Sequence, residues 1–73
     1  MDKALKNAAI CANLSLLCTT LACALQRAEE AKDAIRQGEI NQAIGAALGI
    51  DTMLQDAAAL HAAALALHRS GRS

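Results

Sequence analysis

The chain has no aromatic residue, no proline and no valine, and it carries no net charge at neutral pH. Without Phe, Tyr, Trp or Val there is little to fill the pleated, half-buried surface of a sheet, so a β-sandwich or barrel is excluded. Without proline, nothing interrupts a helix from within. Seven basic residues balance seven acidic ones, which leaves no net field to draw in a polyanion, and no basic face emerges from the order of charges. Nucleic-acid binding is argued down on that ground. Cysteine is scarce as well: the three present, Cys11, Cys18 and Cys23, all fall in the first third of the chain.

What the chain does have is 19 Ala, 11 Leu and 5 Ile in 73 residues. Alanine is the best helix former and leucine is close behind, so the expected class is all-α. A chain of this length buries only about 60% of the surface it exposes when unfolded. A core built mostly from alanine is thin, and association is the usual remedy.

Apolar residues at Leu14, Leu17, Leu21, Leu25, Ala28 and Ile35 recur at helical spacing and predict a first helix over about residues 2–37. Gly38 ends it, since glycine accepts the left-handed conformation that closes a helix, and Arg36 suits the carboxyl-end dipole. Glu39 opens a second helix to about residue 69, through Ile40, Ile44, Ala47, Leu48, Leu54, Ala58 and Leu65. Residues 70–73 are expected to fray. Thr52 and Gln55 have capping-box spacing and mark a possible break at Gly49–Thr52. A continuous second helix is expected instead, because at about 46 Å it nearly matches a first helix of about 54 Å in one antiparallel seam.

The segment Ala34-Ile35-Arg36-Gln37-Gly38-Glu39-Ile40-Asn41-Gln42-Ala43-Ile44 resembles the inter-helix turn of tetratricopeptide repeats. It occurs once and lacks the family's aromatic positions, whereas stacked repeats need about three copies. The resemblance implies a tight helical hairpin and transfers no peptide-binding residues.

Twenty uncharged residues separate Lys6 from Arg27, long enough to cross a bilayer or to follow a short positive start as a signal. Asn7, Asn13, Ser15, Thr19, Thr20 and Gln26 lie within that stretch, and much of the rest is alanine, so its hydrophobicity reads as modest. Thr20-Leu21-Ala22-Cys23 is similar to a lipoprotein cleavage site, but cutting there would discard most of the first helix. A helix covered by other helices in a cytoplasmic protein is the expectation.

Cys11 and Cys18 lie about 10.5 Å apart along one helix, beyond the roughly 7 Å that a disulfide bridges between Cα atoms. All three cysteines read as small apolar residues in a reducing compartment. An antiparallel hairpin brings His61 level with the stretch between Cys11 and Cys18, and His68 near Asn7, so these four residues are the candidates for a metal site. Helical chelation wants ligands one turn apart, and their seven-residue gaps supply one ligand per level. No metal and no cofactor is expected. The mixed charges of Arg27, Glu29, Glu30, Lys32, Asp33 and Arg36 read as a solvated end, and nothing signals a pocket with an oriented nucleophile, so no enzyme is expected.

Gly45-Ala46-Ala47-Leu48-Gly49 is a GxxxG, and Gly45 and Gly49 are expected to let the two helices approach closely near the turn. The second helix carries two apolar stripes. Ile40, Ile44, Leu48 and Leu65 form one; Ile50, Met53, Ala57, Leu60, Ala64 and Leu67, with Ala43, form another about a third of the circumference away. A hairpin covers one stripe only, and the second set is assigned as the face for a partner. The expected molecule is thus an antiparallel hairpin that dimerises, or assembles further, into a coiled-coil-like four-helix bundle. It acts as a small regulatory protein that binds another protein.

Overall fold

The computed structural model describes residues 2–70. Two helices, α1 (Lys3–Arg36) and α2 (Ile40–Ser70), fold back on each other as an antiparallel hairpin, and no strand occurs among the described residues. The observed bounds lie within a residue of the expected ones. α2 runs through Gly49–Thr52 without a break. Ser70, expected to fray, is the last residue of α2, where its hydroxyl donates to the Leu67 carbonyl at 2.9 Å. Residues 71–73 of the expected frayed end lie outside the described part.

Gly38 has φ +80°, the left-handed backbone that disfavours a side chain. Around it the Glu39 amide donates to the Ala34 carbonyl at 2.9 Å and the Gly38 amide to the Ile35 carbonyl at 3.0 Å. These two bonds define a Schellman close, which satisfies the orphan carbonyls at the end of α1. The Glu39 carbonyl accepts from the Ala43 amide at 3.0 Å and starts α2 at once. Only Gln37–Glu39 connect the helices, so the axes leave the turn close together and the facing residues must be small.

They are small. The buried residues are Ala24, Ala34, Ala43, Ala57 and Ala64, every one an alanine, with Ala43 just 2% exposed. Half-buried Ile10, Leu17 and Ala31 on α1, and Ala46, Ile50, Met53, Leu60 and Leu67 on α2, fill the gaps in the same two rows. The spacing is a strict seven-residue repeat: Ile10, Leu17, Ala24, Ala31 on α1 and Ala43, Ile50, Ala57, Ala64 on α2. A 3.5-residue period keeps one seam facing its partner over the whole length. Counting equal steps outward from the turn sets Ala34 level with Ala43, Ala31 with Ala46, Ala24 with Met53, and Leu17 with Leu60 near the open end.

Asn13 and Thr20 sit in this seam and are satisfied within their own helix. Asn13 Nδ2 donates to the Ala9 carbonyl at 3.2 Å, and Thr20 Oγ1 donates to the Leu16 carbonyl at 2.9 Å. Bonding back four residues removes the cost of leaving an amide or hydroxyl unpaired in an apolar seam. The resulting molecule is a flat rod, 56 × 15 × 11 Å across its Cα atoms.

Candidate functional site

The seam determines which residues are left outside it. Going round a right-handed helix from the inner row, the residue four further on lies 40° away and the residue one further on lies 100° away, both on the same flank. Because α2 runs antiparallel to α1, this flank of each helix lies on the same broad side of the hairpin, here called the front face. The opposite side is the back face.

The front face receives Leu14, Leu21, Leu25 and Ile35 from α1, and Ile40, Ile44, Leu54 and Leu65 from α2. Among the described residues these are eight of the eleven large apolar side chains left exposed. Leu48, 72% exposed, lies on the outer edge of α2, and only Leu5 and Leu16 fall toward the back. Cys11 and Cys18 also lie on the front, in a shallow apolar groove with Ile10, Leu14, Asn7 and Ser15. A second groove on the same side is formed by Ile44, Ala47, Leu48, Ile50 and Leu54, with Asp51 at its rim. Asn7, Lys32, Asp51, His61 and His68 share this side, and large apolar residues gathered on one exposed face mark an interaction surface.

The residues assigned from the sequence as the partner face lie elsewhere. Ile50, Met53, Ala57, Leu60, Ala64 and Leu67 form the α2 side of the hairpin's own seam, buried or half-buried by α1. The two stripes have exchanged roles, and the one left open is that of Ile40, Ile44, Leu48 and Leu65. The tight three-residue turn selects the row with the smallest residues nearest the turn, and the seven-residue repeat continues it outward. The signal lies in the spacing of Ala43, Ala57 and Ala64, but each stripe carries four large apolar residues, so helical periodicity alone does not rank them.

Gly45 and Gly49 do not make the close approach expected of them. Gly45 stands two residues, or about 200°, round from Ala43, and a Cβ there would meet nothing within 4 Å. At Gly49 the nearest atom is a guanidinium nitrogen of Arg27 at 4.0 Å. Close approach near the turn is made by Ala31, Ala34, Ala43 and Ala46 instead.

Cys11, Cys18 and Cys23 are exposed, as are His61 and His68. No group of three or more His, Cys, Asp or Glu side chains is placed to hold one metal ion among the described residues. Cys23 lies on the back face, apart from the other two.

α1 contains an 18-residue window of mean hydropathy 1.9, of which 6% is buried by α2. By length and composition this helix is apolar enough to cross a membrane. The value is higher than the modest hydrophobicity read from its polar residues. Alanine and cysteine count as apolar on the hydropathy scale, whereas alanine's transfer is close to neutral. Thr19 Oγ1 donates to the Ser15 carbonyl at 3.2 Å, which with Asn13 and Thr20 internalises much of the helix's polarity.

No family model, no curated protein and no solved structure matches the chain.

Proposed function

We propose that this chain is a small, non-enzymatic, cytoplasmic helical-bundle protein that works by pairing. Two hairpins join through their front faces as an antiparallel four-helix bundle, and the bundle presents its surface, or gives up part of the joint, to a helix of another protein. The observation that carries this reading is the distribution of side chains: the residues the hairpin buries fully are alanines and its larger seam residues are only half-buried, while eight large aliphatic residues gather on one open side. Fully buried alanines supply little drive, since each buried methyl contributes roughly 0.8 kcal/mol, and the Ile, Leu and Met residues of the seam are only half covered. The large aliphatic residues add their share only when something covers them. Light scattering on purified protein tests the reading. It predicts a monodisperse species of at least twice the 7.5 kDa chain mass at micromolar concentration; a stable monomer under those conditions overturns it.

A second reading rests on the apolar, barely covered window of α1: lipid covers the front face, and the hairpin sits in or on a bilayer. Extraction decides between the two. Recovery from cells in the soluble fraction without detergent favours the bundle, and recovery only from membranes favours lipid.

A further inference from the structure

Resting on the pairing just proposed, we infer that the front face receives a second copy of this chain run end to end, with α1 lying antiparallel on its counterpart and the two-fold axis passing between Cys18 and Leu21. Three observations lead there.

The first is extent. The broad side spans 56 × 15 Å between Cα atoms, long enough for a second hairpin of the same length to lie along all of it.

The second is self-complementarity. A two-fold interface requires that where residue i meets residue j, j also meets i. The midpoint of α1, Lys3–Arg36, falls between Thr19 and Thr20. Residues equidistant from it meet across the axis: Leu14 with Leu25, Cys18 with Leu21, Cys11 with Ala28, and Asn7 with Lys32. Every one of these belongs to the front flank of α1. Apolar residues meet apolar ones through the middle, the polar pair flanks them, and Ile35 falls opposite Ala4 beyond it. Turning the copy the other way, with both turns at one end, sets α1 on α2 and loses this pairing.

The third is charge. Near the turn, Glu29, Glu30, Asp33, Glu39 and Asp51 outnumber Arg27, Lys32 and Arg36, five against three. At the open end Lys3, Lys6 and Arg69 outnumber Asp2, three against one. Running the copies antiparallel sets the net negative turn of each against the net positive open end of the other, which is the complementary order.

The test uses the cysteines as position markers. In this arrangement the two Cys18 residues are offset along the axis by three residues, about 4.5 Å, on helices packed about 8–10 Å apart. The two Cys11 residues are offset by about 25 Å. The two Cys23 residues are on the outward back faces, with the bundle between them. Full-length variants that keep one cysteine each are Cys11→Ser with Cys23→Ser, Cys18→Ser with Cys23→Ser, and Cys11→Ser with Cys18→Ser. They are treated with a short bismaleimide of about one helix diameter, and their native mass is measured before treatment.

The expected result is a dimeric mass throughout, with covalent dimer from the Cys18 variant in at least tenfold greater yield than from the other two. A dimeric mass with equal yields, with no crosslinking, or with Cys11 or Cys23 favoured overturns the antiparallel placement and leaves the pairing proposal standing. A monomeric mass overturns both, as does protein that is monomeric in water and transfers to phosphatidylcholine vesicles. If a serine variant loses helicity, peptide mapping of crosslinks in the unaltered chain gives the same three-way comparison.

Discussion

The seam and the front face of this hairpin are built from the same few residue types and sort them in opposite ways. Inside the seam lie five buried alanines, with Asn13 and Thr20 turned back on their own helix. Outside, on one face, lie eight leucines and isoleucines, among them Leu25 at 61% and Ile40 at 64% exposed. A globular domain does the reverse, burying Leu and Ile and leaving small and polar residues to solvent. The seam sets the shape by allowing a tight turn and a flat pair of helices. The front face supplies apolar area that the hairpin itself does not cover, and on the pairing proposed above a second copy covers it.

Breaking the front face has the largest expected effect. Changing Leu21→Asp together with Leu25→Asp, which fall opposite Cys18 and Leu14, leaves two unpaired carboxylates per chain in the joint, and association weakens by roughly a thousandfold, about 4 kcal/mol. Sedimentation equilibrium reads the change, and an unaltered mass distribution would remove the front face from the account. Next is Ala43→Leu, which forces a large side chain into the tightest layer of the seam, opposite Ala34. It costs about 1–3 kcal/mol, read from the urea midpoint at fixed protein concentration. A neutral result would show that the helices are not in close contact there.

Gly38→Ala comes third. A Cβ there has room, with nothing within 4 Å, so its cost of about 1 kcal/mol comes from the positive φ alone. Equal stability of the two proteins would mean that the Schellman close is not formed. The smallest effect belongs to the back face: Leu16→Asp changes stability and association by less than about 0.5 kcal/mol. It is the direct control for Leu21→Asp alone, since both leucines are about half exposed in the hairpin. Comparable losses from the two would erase the distinction between the faces.

Much of the fold could be read from the residues. Alanine content and the lack of proline declare helices, Gly38 after Arg36 and Gln37 declares the turn, and the matched helix lengths argue for a continuous α2. The choice of seam could not be read so directly. Two stripes on α2 satisfy helical periodicity, and the sum of their hydrophobicity favours neither decisively. What separates them is steric: a three-residue turn brings the axes so close that Ala43 and Ala46 can face α1, whereas Ile44 and Leu48 cannot. Gly45 and Gly49 were misplaced for the same reason, since a GxxxG marks close approach only when its face is the one turned inward. The proposed cover for the front face rests on the spacing of Leu14, Cys18, Leu21 and Leu25 about the middle of α1, which a reading for secondary structure passes over.

The central claim is that an alanine seam does not hold these helices together unaided, so that helix content and association rise and fall together. Far-ultraviolet circular dichroism over a dilution series, with mass measured on the same samples, tests it most directly. The account predicts that helicity falls as the protein is diluted from tens of micromolar, in step with the loss of the associated species. A chain that keeps its full helicity while its mass falls to 7.5 kDa would contradict it.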